Sequence, residues 1–501
     1  MRIKTTFAAN CKVVFFYAMK NTLLTILTFF ILSPIFGQGS DDACLFSQSL
    51  YQGTAKAMGM GNALGAVGGD MTGVCINPAG LGLYRSNEFT ATLGLMHNLN
   101  ASHYYGNATQ AGKYRTELPN FGYVSSKQRS NYKGIRFTQF GIGFTRTNDY
   151  NIHTFAKGIN PTSSKIDNYL AQIDGYDPTE LQDNFAYTIY PAWNTYLIDL
   201  YQDEQGEYYS SPVPQGGIWQ SQENSFKGRS EEYTFALSAN YQERLFMGAS
   251  LGITHIKREG IKAFEESALK DEDIDFNQWN FTESIASTGW GCNAKLGFIF
   301  HANSWFRLGL AYHTRGLYAF DETWQTETES KIEHVTYKSF SPNSTYNYNF
   351  RSPRKWIGSM AFVIRQAGLI GFDAEYTNYG AARFTCDDFD YSHVNKDIAD
   401  NYGKTFNFRL GSEWNLGASY LRAGLAYYGS PFGLKESLGS VKKASFGFSL
   451  PVNFDTTFDF AYELSYSKSN MVLYDAGVLG IEPVVQRQFR NNVAVTLKVK
   501  F

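Results

Sequence analysis

Thr405-Phe406-Asn407-Phe408-Arg409-Leu410-Gly411-Ser412-Glu413-Trp414 is the stretch on which the reading of the fold turns. Side chains of an extended chain point alternately to opposite faces, so Phe406, Phe408, Leu410 and Trp414 share one face and Thr405, Asn407, Arg409, Gly411 and Glu413 the other. One face is oily and the other charged. The period returns in Leu421, Ala423, Leu425 and Tyr427 against Tyr420, Arg422, Gly424 and Tyr428. It returns again in Phe306, Leu308, Leu310 and Tyr312 against Arg307, Gly309, Ala311 and His313, and in Phe458, Phe460, Tyr462, Leu464 and Tyr466 against Asp459, Ala461, Glu463 and Ser465. Soluble sandwiches alternate too, but their strands average about five or six residues, whereas a tilted strand crossing a bilayer needs roughly nine to eleven. These runs are long enough to span.

Working outward, such runs fall at 87–97, 117–127, 134–147, 231–242, 244–258, 286–301, 303–327, 345–366, 368–382, 403–416, 418–429, 441–451, 454–467 and 489–501. They number fourteen, an even count as single-chain bacterial barrels require. Every second connection is short: 128–133, the turns at Glu243, Ala302, Ala367 and Leu416-Gly417, and Val452-Asn453. The others are long, and the longest, near 148–230, is rich in Tyr, Asn, Gln and Gly and is expected to cap the external mouth. Short turns on one rim and long loops on the other are the outer-membrane arrangement. The fold class expected is therefore all-β, a transmembrane antiparallel barrel over residues 87–501.

Composition agrees. There are 34 Tyr, 40 Phe and 46 Gly but only 13 Pro in 501 residues, which favours strands and turns over helices. A mean hydropathy of -0.31 and a formal net charge of -2 exclude a helical membrane bundle and a basic nucleic-acid binder. A barrel hides its membrane content from that average because only alternate residues meet lipid.

At the N-terminus, Met19-Lys20-Asn21, the apolar run from Thr22 to Ile35, and Ser33-Pro34-Ile35-Phe36-Gly37-Gln38 read as a signal peptide, residues 1–37, cleaved near Gly37, with Met19 as an alternative start. The apolar run falls short of the ~20 residues that a spanning helix needs. Export permits disulfides, and Cys44 with Cys75 is a candidate pair; the cysteine spacings match no zinc pattern. At the other end, Asn492 to Phe501 alternates without error and stops on an aromatic, similar to the signal that barrel-insertion machinery recognises, so Phe501 is a candidate for that contact.

Residues 38–86 are of a different kind. Gly53, Gly59, Gly61, Gly65, Gly68 and Gly69 precede Cys75-Ile76-Asn77-Pro78-Ala79-Gly80-Leu81-Gly82, a density of small residues suited to backbone packed closely against backbone. The glycine spacing is not that of a dinucleotide fingerprint, and no strand precedes it. This stretch with Asn77, Pro78 and Ala79 resembles the N-terminal hatch of the FadL family of outer-membrane transporters, particularly the Bacteroidetes branch often labelled hemin-receptor-like. The phrases from Arg307 to Thr314, Ser352 to Lys355 and Leu421 to Pro431 are similar to that branch as well, so the likeness covers the mature chain.

The resemblance implies a fourteen-stranded barrel closed by the hatch. It implies uptake of long-chain fatty acids or other hydrophobic compounds from an external groove, with sideways release at a kinked third strand. Gly141 and Gly143 in that strand are candidates for the kink. Lumen-facing charges Arg307, Asp373, Glu375, Arg409, Glu413, Arg422, Asp459, Glu463 and Lys498 have mixed signs, as a structural ladder pinning the hatch requires. Heme ligation and a role as a protein-binding shuttle of a secretion system are the alternatives; the histidines form no tight cluster, and no catalytic motif or cofactor is read. The expected partners are a hydrophobic ligand, outer-membrane lipids and the insertion machinery, and the expected state is a monomer.

Overall fold

The computed structural model describes residues 39–501 except 130–133, 205, 270–274, 435, 437 and 475–480, so the signal-peptide reading lies outside the described residues. Residues 40–501 form one compact unit. Fourteen barrel strands close on themselves. They are β1 Glu88–Tyr104, β2 Asn107–Gln128, β3 in two pieces (Ile135–Asp149 and Ile152–Asn160), β4 Ile218–Tyr241, β5 Leu245–Ser267, β6 Gln278–His301 and β7 in two pieces (Phe306–His313 and Leu317–Ile332). The circuit continues with β8 (Ser344–Arg351 and Lys355–Ile364), β9 Gly368–Asn378, β10 Lys404–Asn415, β11 Tyr420–Tyr428, β12 Val441–Pro451, β13 Thr456–Met471 and β14 Val484–Lys500. Antiparallel pairing from Glu88↔Lys500 to His103↔Val485 joins first strand to last. Phe501 follows at the short-turn rim, its amide donating to Asn87 O at 3.2 Å.

The outer face carries the apolar rows that the alternation predicts: Phe406, Phe408, Leu410 and Trp414 are all exposed, while Thr405, Asn407, Arg409 and Glu413 are buried. Trp305, Trp414 and Tyr420 mark the lower interface, near the short turns, and Tyr233, Trp290 and Trp356 the upper one. No described helix is long and apolar enough to cross a membrane.

Two connections expected as loops contain barrel strand. Residues 98–116 form a hairpin turning at Tyr105 and Gly106, both at positive φ, and within 148–230 the runs Ile152–Asn160 and Ile218–Ser230 belong to β3 and β4. These parts rise beyond the lipid, where neither face needs to be apolar, so no alternation marks them. Conversely, the runs expected at 303–327 and 345–366 are each interrupted, the second around Pro353, which has no N–H for a ladder.

The N-terminal segment lies inside the barrel. Helices α1 Ser40–Ser47, α2 Ala55–Gly59 and α3 Met71–Ile76 are followed by a 3-10 turn, Pro78–Leu83, and nearly all of their side chains from Ala55 onward are buried. Asp70 caps α3, accepting from Thr72 N at 2.9 Å, and Thr54 Oγ1 donates to Asp70 at 2.6 Å. Glycines on the lumen face let the segment approach the wall. A Cβ at wall residue Gly424 would meet Gly61 N, one at Gly309 would meet Gly65 O, one at Gly447 would meet Gly59, and those at Gly248 and Gly297 would meet Pro78 and Asn77. Gly53 leaves room for Thr72; Gly61, Gly68 and Gly69 adopt positive φ in turns.

Polar contacts fix this packing. Gly65 N donates to both Asp373 carboxylate oxygens at 3.1 Å, and Ala55 N to Thr496 Oγ1 at 2.7 Å. Asn77 Nδ2 donates to Gly65 O at 2.7 Å and to Phe298 O at 3.2 Å, and Ala79 N to Asn77 Oδ1 at 3.1 Å. His313 Nε2 lies 2.8 Å from Ile76 O. Behind them runs an ion-pair ladder: Arg409 reaches Asp373 at 3.6 Å and Glu375 at 3.1 Å, and Arg422 reaches Glu413 at 2.6 Å and Asp459 at 2.9 Å. Lys498 pairs with Asp459 at 2.6 Å and Lys443 with Glu463 at 3.0 Å, while Lys56 extends from α2 to Glu413 at 4.0 Å. Arg307 joins none of the ion pairs among the described residues.

The expected disulfide is absent: Cys44 and Cys75 are both free and buried, held on separate helices, with Cys75 Sγ 3.5 Å from Thr234 Oγ1. Burial, with the nearby Asp41 charge adding to it, pushes the Cys44 thiol up to about 12. Both cysteines are therefore expected to resist alkylation at neutral pH in the folded protein and to react fully once it is unfolded without reductant, as peptide mass spectrometry would read. Arg409→Met leaves two buried carboxylates with only Lys355, 4.0 Å from Glu375, nearby. It should cost about 3–5 kcal/mol, lowering the temperature at which the compact band on an unheated gel converts to the unfolded one.

Candidate functional site

Above the N-terminal segment the lumen changes character. Phe320, Tyr348, Phe350, Phe384 and Tyr391 are all buried and line an aromatic chamber inside the barrel. Phe320 stacks on Tyr348 with centroids 5.3 Å apart, Phe350 lies 5.0 Å from Phe384, and Phe384 lies 5.6 Å from Tyr391. Phe46 of α1 fills the middle, stacked on Phe320 at 4.8 Å and edge-on to Phe350 at 6.1 Å. On its other side Phe46 meets Tyr150 edge-on at 6.0 Å.

The interruptions of β7 and β8 produce this chamber. In Phe306–His313 even-numbered residues such as Leu308 and Leu310 face lipid, but beyond the break Phe320, Glu322 and Trp324 are buried. One break turns the alternation over, because a one-residue slip moves every side chain to the other face. The same inversion at 352–354 turns Tyr346, Tyr348 and Phe350 inward, while Lys355, Ile357 and Ser359 face the lumen below. A continuous run at 303–327 and at 345–366 hides the reversal of phase that makes the chamber, and Pro353 is the one signal of it in the sequence.

Tyr150 stands at a break in the wall. Strand β2 pairs with β3 only as far as Asn120↔Thr145, whereas β1 and β2 stay paired to Tyr104↔Asn107. Beyond Thr145, β3 stays with β4, with a register shift between Arg146 and Asn148, and its second piece pairs with Phe226 to Ile218 of β4. That piece passes across the β1–β2 hairpin on side-chain contacts. Asn98 donates to Asn151 O and Asn100 to His153 O, each at 2.8 Å, and Thr109 donates to Phe155 O. The N-terminal segment covers the departure point: Leu50 N donates to Thr147 O at 2.8 Å and Gln52 N to Arg146 O at 3.0 Å. The Arg146 side chain joins Glu117 of β2 at 2.5 Å to Glu231 of β4 at 3.4 Å.

Gly141 and Gly143 are not the site of the departure. Both sit in regular register, opposite Val124 and Gly122 of β2, and they make room instead for Leu81 and Met71 of the N-terminal segment. The kink follows them, at Arg146 to Asn151, where polar side chains replace the ladder.

A folded cap lies over the outer mouth. Helix α4, Lys165–Ile173, is capped by Ser164 and Asp167, and the segment continues through Leu181–Asn184 and Ile189–Trp193. Its buried Ile166, Tyr169, Ile173 and Leu197 pack with Tyr104, Phe264, Trp279 and Val484 of four wall strands. The buried Glu266 carboxylate anchors the cap, accepting from Ser164 Oγ at 2.6 Å, Lys165 N at 2.9 Å, and Gln220 Nε2 and Trp279 Nε1, each at 2.7 Å. Below the chamber, a polar cavity of about 50 Å³ lies between Ser49, Glu232, Asn293, Lys295 and Lys355. Among the described residues no group of three His, Cys, Asp or Glu side chains could hold a metal ion.

No family model matches the chain, and no curated relative does. Solved structures do. A Pseudomonas aeruginosa FadL homologue aligns with a TM-score of 0.55 at 12% identity, over 91% of this chain and 100% of its own. The toluene transporter TodX of P. putida aligns at 0.53 and 12%, over 89% of this chain and 98% of its own. The Ralstonia pickettii toluene transporter TbuX aligns at 0.50 and 13%, over 89% and 98%. With the apolar belt and the closed circuit of strands, the chain has the fold of the FadL-type barrels of the Gram-negative outer membrane.

Proposed function

We propose that this protein carries small hydrophobic molecules inward across the outer membrane, with residues 38–86 as the hatch that closes the lumen. One observation carries the reading: a line of aromatic rings runs from Tyr391 and Phe384 through Phe350, Phe320 and Phe46 to Tyr150, ending where β3 leaves β2. Above a layer of the lumen lined by ion pairs, such a line is an apolar path with an outlet in the wall. A hydrophobic solute gains nothing from a watery pore, since its stabilisation scales with the apolar area kept from water. Rings to lean on and sideways release into lipid meet that requirement.

Phe46 occupies the chamber as a ligand would. Because α1 leads into Leu50 and Gln52, which bond the backbone of β3 at the break, a ligand displacing Phe46 would pull on the same segment that covers the outlet. Entry from outside requires the cap to yield. Long-chain fatty acids and monoaromatic hydrocarbons, the latter named for solved structures of this fold, are the substrate classes proposed.

Three results would test this. Cells lacking the gene should take up labelled fatty acid or toluene more slowly, and the wild-type gene should restore the rate. Phe384→Glu, which sets a carboxylate in the chamber, should leave uptake roughly tenfold lower despite a folded barrel, because an unpaired polar group there repels an apolar solute; unchanged uptake would place the chamber off the path. Deleting residues 51–82 should raise single-channel conductance in planar bilayers well above the wild-type level, whereas unchanged conductance would refute the hatch.

A further inference from the structure

A cleft of about 260 Å³ opens in the wall beside the upper part of β2, and its lining is basic. Lys113, Arg115, Lys227, Arg229 and Lys257 face it, with Glu259 the lone carboxylate of the lining. Its height is marked by aromatic rings. Tyr114, 70% exposed, stacks on His97 at 4.1 Å, and His255 stacks on Trp290 at 4.3 Å. Lys113 and Arg115 flank Tyr114 on the neighbouring row of β2, and Lys257 follows His255 by two residues on the same outward row, so the cations stand at and just above the aromatic girdle. With the long connections outside the cell, that is the headgroup level of the outer leaflet.

The positive charge is only partly cancelled locally. Glu259 pairs with Lys227 at 3.4 Å and Lys257 at 3.2 Å, and Arg229 is held by Glu231 at 2.6 Å, a carboxylate shared with Arg146. Among the described residues Lys113 and Arg115 have no carboxylate partner. From Asn107 to Pro119, β2 also has no ladder partner on this side, only the side-chain contacts of the second piece of β3, which is what leaves the cleft open.

We propose that this cleft binds a phosphorylated lipid headgroup of the outer leaflet. Lys113 and Arg115 take phosphate oxygens, while Lys227, Arg229 and Lys257 supply the surrounding positive field. Arginine suits phosphate because its planar fork donates two parallel hydrogen bonds, and lysine adds a compact charge. Five cations against Glu259 and the Glu231 that holds Arg229 leave an excess of about three, more than a single fatty-acid carboxylate would neutralise, whereas a headgroup with two phosphates matches it. A headgroup seated here would stand at the outer end of the wall break, with its acyl chains directed down along β2 and β3. The proposal concerns the outer surface alone, so it stands or falls separately from the transport reading.

Native mass spectrometry of the full-length mature protein in mild detergent tests it, with lipid A, enzymatically dephosphorylated lipid A and phosphatidylethanolamine offered separately. Lipid A should stay bound at an activation that strips the other two, and excess inorganic phosphate should leave it in place. The variant K113Q/R115Q/K227Q should retain roughly tenfold less. R351Q/K404Q/K442Q, which removes exposed basic residues elsewhere on the upper rim, should retain as much as wild type. Both variants are first shown to keep the compact band of a folded barrel. Equal retention of dephosphorylated lipid, displacement by inorganic phosphate, undiminished retention by the first variant, or equal loss in both variants would overturn the proposal.

Discussion

Within hydrocarbon no water completes a peptide group's hydrogen bonds, and the rest of this structure follows from that constraint. A sheet can meet it only by closing, and here β1 closes on β14 through an unbroken register. Closure divides every strand into a row facing lipid and a row facing the lumen. The lumen row is then free to carry charge, provided that the charges are paired. The ladder lapses at the departure of β3 from β2, and substitutes are found there: the N–H groups of Leu50 and Gln52, and the side chains of Asn98, Asn100 and Thr109. Buried backbone groups are rarely left unpaired, so this set of replacements marks a built feature of the wall.

The lumen solves two packing problems at different heights. Low down, glycines on both the wall and the N-terminal segment bring backbone to backbone, and carboxylates such as Asp373 accept the N–H groups that result. A buried carboxylate is costly alone, which accounts for Arg409 and Arg422 each bridging two of them. Higher up, the phase reversals in β7 and β8 exchange ions for rings, and Phe46 fits among them. The charged layer holds the segment, and the aromatic layer gives an apolar solute somewhere to go.

Much of this was legible in the sequence, for a physical reason. Where lipid lies on one side, as at Thr405 to Trp414, alternation is enforced and the inward residues Arg409 and Glu413 can be named outright. Beyond the membrane both faces meet water or the cap, the pattern fades, and strand at 98–104 and 218–230 reads as loop. Partners such as Lys355, Lys443, Glu117 and Arg146 were overlooked because cross-strand pairing depends on register, which one chain's periodicity does not contain. Gly141 and Gly143 drew attention to the right strand for the wrong reason, since small residues there serve packing while the kink is made by polar side chains further along. Cys44 and Cys75 are a pairing that export permits and the helices separate.

The account rests on an apolar solute travelling along the aromatic line to the break in the wall. A fatty acid carrying a photoreactive diazirine at its chain end, bound to the protein in mild detergent and irradiated, would mark that route directly. Labelled peptides should contain Phe46, Phe320, Phe350 and Tyr150, with labelling suppressed by excess unlabelled fatty acid. Labels confined to the outer apolar belt, or to the polar wall below Asn77, would contradict it.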